Sequence, residues 1–313
     1  MGISQAEAQT FLNAQYDDVG EVAPLGEGVW SRAFSFRRAG RDYVARFGAY
    51  QEDFLKDQFV SRYSSAALPI PRVVAVGEAL GGYYAISERL FGGCIDTVDG
   101  AQMRALLPAL FAALDAAREA DLSATTGYGG WGADGNGAWP GWRQVLLAVN
   151  TDDPASRGHG WRQKLAASPE ALAAHEETHG RLVELTDGLP TERHLIHSDL
   201  LHYNVLVEGA RITGVLDWGC SLYGDHLYDL AWLCYWQPWF PAWRDIDFLG
   251  EALRHWASIG LDVPDWQRRL TCCEIHIGLG EQAYQAYAGL WDMLEKTVPY
   301  TLEIARNESQ LRL

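Results

Sequence analysis

The run His197-Ser198-Asp199-Leu200-Leu201-His202-Tyr203-Asn204, followed eighteen positions after Asp199 by Asp217 in Val215-Leu216-Asp217-Trp218, narrows what this chain can fold into more than any other feature. Strand-length apolar runs, Val205–Val207 and Ile212–Leu216, flank a turn between them. With Glu208-Gly209-Ala210 as that turn, Val207 faces Arg211, Asn204 faces Gly214, and Asp217 falls opposite Leu201. Asp217 then lies three strand steps, roughly 10 Å, along from Asn204. Asp199, Asn204 and Asp217 converge at one end of a hairpin. Two oxygen-bearing side chains beside a third carboxylate suit phosphoryl transfer. Mg2+ takes one or two protein oxygens plus phosphate oxygens, and a neighbouring carboxylate orients the attacking hydroxyl and takes its proton. This assigns Asn204 and Asp217 to metal and Asp199 to the base. The bland alternative for an isolated H-x-D-x-x-x-x-N is a chance loop, and the placement of Asp217 weighs against it.

The 313 residues suffice for about two units at roughly 150 residues each. Ser4 precedes a short helical stretch with Phe11 and Leu12. Strands are expected at Arg32–Phe36 and Tyr43–Phe47 about the turn Arg38-Ala39-Gly40-Arg41, and at Val73–Gly77 and Tyr83–Glu88 about Gly81-Gly82. Between the two pairs, a helix over Asp53–Ala66 should run to Pro69-Ile70-Pro71. After Phe91-Gly92-Gly93 the apolar period changes from two to three and four, with Leu106, Leu107, Leu110, Phe111 and Leu114 on one helical face. A boundary at about residue 90 follows, giving units 1–90 and 91–313. Gly127–Trp142 reads as an irregular loop, Ala171–Leu185 as helix, Leu195–Ile196 as a short β segment, and everything beyond Tyr228 as helix broken at Pro238, Pro241 and Pro264.

The first of these units carries a second set of candidates. Leu25-Gly26-Glu27-Gly28-Val29-Trp30-Ser31 sets Gly26, Gly28 and Ser31 between two strands, where backbone N–H groups can approach a nucleotide phosphate. A plain glycine-containing β-turn is an equally good reading, because Ser31 stands where a third glycine would complete G-x-G-x-x-G. Arg46 in Asp42-Tyr43-Val44-Ala45-Arg46 occupies a strand similar to the one on which kinases carry a phosphate-binding lysine, and its fork can pair with phosphates. Asp57 is the expected partner in the next helix, ahead of Glu52 and Asp53, with a solvated surface arginine as the alternative. Glu88-Arg89-Leu90 ends the last strand, and the backbone of Glu88 and Leu90 can meet an adenine edge.

Taken together, these residues resemble the aminoglycoside phosphotransferase and choline-kinase superfamily. The resemblance implies an α+β, protein-kinase-like two-lobed fold, with a small β-rich N-lobe and a larger, mostly helical C-lobe. Within that superfamily the chain is most similar to the hygromycin B phosphotransferases of the 4-O type. Ser31-Arg32-Ala33-Phe34-Ser35-Phe36, Lys56-Asp57-Gln58-Phe59, Ala66-Ala67-Leu68-Pro69-Ile70-Pro71, Ala120-Asp121-Leu122-Ser123, Arg211–Trp218 and Trp236-Gln237-Pro238-Trp239 carry it, from about Leu25 to Tyr284. Arginine at position 46 agrees with that subgroup. Leu200-Leu201-His202-Tyr203 and Ile277-Gly278-Leu279-Gly280-Glu281-Gln282 depart from it, both on the acceptor side. The resemblance implies ATP or GTP with Mg2+, and a hydroxyl of an aminoglycoside or aminocyclitol as acceptor. Alternatives are a metabolic kinase for choline, homoserine or a sugar, and a nucleotide-binding pseudokinase acting as an interaction module.

Charge bears on the acceptor. The formal net charge is −16, and residues 1–90 hold nine Lys/Arg against eleven Asp/Glu, so a net −14 falls in the remainder. Such a field disfavours nucleic acid and anionic membranes and favours a cationic small molecule, although solvated surface acids are the ordinary reason for it. Asp199, Glu274 and Glu281 are candidate contacts for ammonium groups, with Trp239 and Tyr284 as apolar walls. Trp232, Trp236, Trp239 and Trp243 follow helical spacing, and Pro238 singles out Trp239 as the one turned toward the acceptor. Asp225 and Asp229 are expected to hold the catalytic loop through backbone hydrogen bonds, His197 to orient it, and His202 to border the acceptor or face solvent. Five cysteines without C-x-x-C spacing indicate neither a disulfide framework nor a zinc site. Reduced thiols and no basic stretch leading into an apolar run make the cytoplasm the expected compartment, and a monomer is the expected state.

Overall fold

The computed structural model describes residues 2–307, so Met1 and the last six residues of the 91–313 unit lie outside the described residues. The chain divides into two compact units, one of Met1–Thr126, Gly130–Gly137 and Asp199–Ser221, the other of Gly127–Gly129, Ala138–Ser198 and Leu222–Leu313. This differs from a single break near residue 90, because the hairpin after Asp199 pairs with the first unit.

The first unit begins with α1 (Gln5–Gln15), where Ser4 Oγ accepts from Glu7 N and Glu7 Oε2 accepts from Ser4 N at 2.8 Å, a closed capping box. Strands β1 (Ala23–Glu27), β2 (Ser31–Arg38), β3 (Arg41–Gly48), β4 (Val73–Ala79) and β5 (Gly82–Glu88) form an antiparallel sheet in the order β1-β2-β3-β5-β4. Strand alternation sorts its two faces. Phe34, Phe36, Ala45, Phe47 and Ile86 bury against Ala8 and Leu12 of α1. Their neighbours Ala33, Val44, Arg46, Ala85 and Ser87 line a cavity on the opposite face.

Both expected hairpins form. Ala39 and Gly40 (φ 48° and 77°) turn the first; the second turns on Leu80 and Gly81 (φ 53° and 79°), one residue earlier than expected. The helix after β3 is α2 (Gln51–Val60) with one 3-10 turn, Ser61–Tyr63, and so ends short of Ala66. Side chains end it before the prolines act: Ser64 Oγ accepts from Ile70 N at 2.9 Å, and Ser65 Oγ accepts from Leu68 N at 3.1 Å. Strand β6 (Gly93–Cys94) and helix α3 (Gly100–Arg118) follow. The stretch 127–142, expected to be irregular, contains the short strands β7 (Tyr128–Trp131) and β8 (Gly137–Trp139).

Helices α4 (Trp142–Ala148), α5 (Trp161–Leu165) and α6 (Pro169–Leu185) lead to β9 (His194–Ile196), and then to the hairpin of β10 (Val205–Glu208) and β11 (Arg211–Val215). Its register corrects the expectation. Glu208 faces Arg211 across a two-residue turn at Gly209-Ala210, and a bulge then sets Leu206 opposite Gly214 and Val205 opposite Val215. Leu216 N therefore donates to Asn204 O at 2.8 Å, and Asp217 directly follows the residue bonded to Asn204 instead of lying three steps away. Strand β6 pairs with β10 through Leu206↔Cys94 and Val207↔Gly93, tying the hairpin to the first unit.

In the second unit β9 pairs with β12 (Leu222–Gly224), a strand without a separate signal in the sequence, and α7 (Leu227–Trp236), α8 (Phe248–Ile259), α9 (Trp266–Ala288) and α10 (Trp291–Arg306) follow. A Cβ on Gly278 of α9 would lie 2.3 Å from Thr301 of α10, so glycine there permits their close approach. Asp229 accepts from His197 N at 2.9 Å and Ser198 N at 2.8 Å, as expected of it. Asp225 does not share that task. It takes a bidentate pair from Arg269 at 2.7 and 2.8 Å, both residues buried, which compensates two charges withdrawn from water. Among the described residues, no helix is long and apolar enough to cross a membrane.

Candidate active site

Arg46 and Asp57 are held at the meeting of β3, α2 and the end of β11. Arg46 points from the cavity face of the sheet and gives one Nη to Asp57 Oδ2 at 2.8 Å and the other to Asp217 Oδ1 at 3.2 Å. Asp57 Oδ1 accepts from Trp218 N at 2.9 Å. Burial pushes the Asp57 carboxyl up to about 6, a rise that Arg46 opposes and Asp217 reinforces. The two carboxylates hold the Arg46 guanidinium charged, raising its pKa against the effect of its own burial. Asp217 is in a left-handed backbone conformation (φ 57°), uncommon for a non-glycine residue. The bonds at Leu216 N and Trp218 N, on either side of it, hold that bend.

Asp199 and Asn204 form the other half. Asn204 Nδ2 donates to Asp199 O at 2.9 Å and to Asp199 Oδ2 at 3.0 Å, which turns the amide so that its Oδ1 points away from Asp199. His202 Nδ1 lies 2.9 Å from Asp199 Oδ1. His202 is thus neither simply solvent-facing nor an isolated loop residue. Asp96, which the sequence did not single out, accepts from His202 N at 2.7 Å and Tyr203 N at 2.9 Å. Its 106-residue separation from His202 leaves no local signal to find it by.

The cavity has a volume of about 470 Å³, in the range of small-molecule sites. Gly26, Arg46, Glu88, Leu90, Leu216 and Asp217 are among its lining residues. Gly28 and Ser31 close the β1–β2 turn, with Gly28 N donating to Ser31 O at 2.9 Å. A Cβ on Gly26 would meet nothing within 4 Å, and one on Gly28 only Ser31 O at 3.7 Å. The fold itself therefore requires neither glycine. At the hinge, the segment Glu88-Arg89-Leu90 that leaves β5, Glu88 N donates to Arg72 O at 2.9 Å and Arg89 N to Asp42 O at 3.0 Å.

The acceptor candidates of the second unit lie on α9 and the turn after α7. Trp239 stacks on Tyr235 at 6.0 Å and meets Tyr300 edge-on at 5.2 Å. Trp232, Trp236 and Trp243 are buried, whereas Trp239 is only partly so. The Tyr235 hydroxyl is pushed up by its burial, against a hydrogen bond to Thr301, and further by the charges of Glu281 and Glu274. Tyr284, raised first by burial, also feels Glu281. Glu274 is buried and Glu281 partly exposed.

Residues 21–270 match the model of the phosphotransferase enzyme family. A hygromycin-B 4-O-kinase of Escherichia coli is 35% identical over 242 residues, covering 77% of this chain and 69% of that protein. The crystal structure of aminoglycoside phosphotransferase APH(4)-Ia superposes with a TM-score of 0.84 at 30% identity, over 97% of this chain and 99% of that one. A thermostable mutant of the same enzyme, in ternary complex with AMP-PNP and hygromycin B, gives 0.83 at 29% identity over 98% and 100%. A gentamicin complex of APH(2")-IIa, 17% identical with a TM-score of 0.63, shares the fold.

Proposed function

The chain belongs to the phosphotransferase enzyme family, and on that premise we propose that it transfers the γ-phosphate of ATP or GTP to a hydroxyl of an aminoglycoside, hygromycin B foremost, inactivating the antibiotic. The observation that carries this reading is one hydrogen-bonded set: Asp199 fixed against Asn204 at 3.0 Å, Asn204 bonded to the residue before Asp217, and Arg46 bridging Asp217 and Asp57.

Asp199 orients the acceptor hydroxyl and accepts its proton as transfer proceeds in line, without a phospho-enzyme. Asn204 Oδ1 and the Asp217 carboxylate are the oxygens for Mg2+, which when bound neutralises charge developing on the phosphates. The donor set fits that ion. Mg2+ takes few protein oxygens, such as this amide and carboxylate, and completes its shell with phosphate and water. Arg46 and the Gly26–Ser31 turn hold the phosphates. The Glu88 and Arg89 amides are engaged within the protein, so the Leu90 N–H is the hinge donor we assign to the base. In the second unit, the partly exposed Glu281 supplies a carboxylate, and Trp239 and Tyr284 aromatic faces, for a polycationic sugar, whereas Glu274, expected as a further contact, is buried.

Because neither glycine is needed by the fold, Gly26→Ala and Gly28→Ala should raise the nucleotide KM about 10-fold with kcat and melting temperature little changed, as a Cβ fills space that the phosphates approach. Steady-state kinetics beside a thermal melt reads both. The acceptor is tested by Mg2+-dependent nucleotide turnover over a panel of hygromycin B, other aminoglycosides, choline and homoserine, with mass spectrometry of the product. Stimulation by hygromycin B with a phosphorylated product is expected. Stimulation by choline or homoserine alone would replace the acceptor, and no stimulation by any compound would make the chain a binding module.

A further inference from the structure

We infer that His202 is a positioning residue for Asp199, fixing the carboxylate that meets the acceptor hydroxyl; the inference rests on the reading of Asp199 as the base. The two oxygens of Asp199 have separate donors. Oδ2 takes Asn204 Nδ2 at 3.0 Å and Oδ1 faces His202 Nδ1 at 2.9 Å. A carboxylate gripped by one oxygen still rotates about its Cβ–Cγ bond. One gripped by both has its plane fixed. The contact requires the tautomer that carries hydrogen on Nδ1.

The backbone shows that this placement is imposed. His202 and Tyr203 are consecutive left-handed residues with φ 61° and 71°, neither of them glycine, and such strain persists where the surroundings over-determine it. Asp96 supplies that constraint, its two oxygens accepting from His202 N at 2.7 Å and Tyr203 N at 2.9 Å. Core packing does not explain the histidine, since its side chain is 48% exposed and Tyr203 is 66% exposed. What the strained turn achieves is delivery of an imidazole N–H to Asp199 Oδ1.

The test is a kcat and KM comparison of His202→Ala, His202→Asn and His202→Gln with the unaltered chain, using hygromycin B and Mg-nucleotide. His202→Ala should lower kcat about 10- to 100-fold, the usual cost of losing an orienting partner, with nucleotide KM within about two-fold and melting temperature unchanged. His202→Asn, whose Nδ2 occupies nearly the position of the imidazole Nδ1, should restore kcat to within about three-fold. His202→Gln, with its amide one methylene further out, should resemble the alanine variant. Full kcat in His202→Ala, or an asparagine variant as slow as the alanine one, would overturn the inference. Asp199→Asn run alongside separates the two readings. If it is inactive while His202→Ala is fully active, only the positioning role falls, and if it turns over normally, the base assignment falls as well.

Discussion

Asp199→Asn is expected to bind nucleotide as well as the unaltered chain and to turn over about 10²- to 10⁴-fold more slowly, the range that a positioned general base contributes. The substitution is isosteric but reverses one hydrogen bond. Asn204 Nδ2 and His202 Nδ1 both meet Asp199 oxygens, and an amide at position 199 presents only one oxygen to two donors. The conflict is small, because the imidazole can present an unprotonated Nδ1 instead, so the fold survives and the lost function is proton acceptance. Arg46, Gly26 and the hinge lie on other elements, so nucleotide affinity should be untouched. Calorimetric titration with nucleotide beside a turnover assay reads both properties. A variant within ten-fold of normal kcat would remove Asp199 from the base role.

The sheet unit was legible because period-two alternation is a local property. Phe34, Phe36, Ala45 and Phe47 announce one face, and Ala33, Val44 and Arg46 the other. Asp57 was preferred to Glu52 and Asp53 as the partner of Arg46 because a kinase-like strand asks for an acid in the following helix, and the ion pair at 2.8 Å bears that choice out. The hairpin register was not legible. Its turn uses two residues in place of three and a bulge follows, so counting back along both strands moved Asp217 away from Asn204 when the chain sets them side by side. The end of α2 was misplaced for a related reason: Ser64 and Ser65 bond the Leu68–Ile70 backbone ahead of the prolines that a sequence reading trusts. Asp96 and the His202 contact depend on the left-handed turn at residues 202 and 203, and no composition rule signals that turn in a run without glycine.

The other large effect is expected at Asp217. Asp217→Asn keeps the shape of the site, since asparagine adopts the left-handed backbone there (φ 57°) more readily than most residues, and the bonds of Leu216 N and Trp218 N remain. What is lost is the charge. Without it, kcat should fall about 10³-fold, the several kcal/mol a coordinated cation supplies to a phosphoryl-transfer transition state, and half-maximal activity should need more Mg2+. The sign reverses when the metal is chelated. In the unaltered chain Asp217 sits 3.2 Å from Arg46 and repels an incoming phosphate, whereas in the variant the Arg46 guanidinium keeps only Asp57. Nucleotide without Mg2+ should therefore bind the variant more tightly than the parent, while nucleotide with Mg2+ should bind it more weakly. Asp57, which burial pushes up to about 6 against the charge of Arg46 and with that of Asp217, should also titrate lower in the variant. Titrations in chelator and in excess Mg2+ decide the matter. An affinity change of the same sign in both would mean that Asp217 acts on the phosphates through Arg46 alone, and the metal would need another carboxylate.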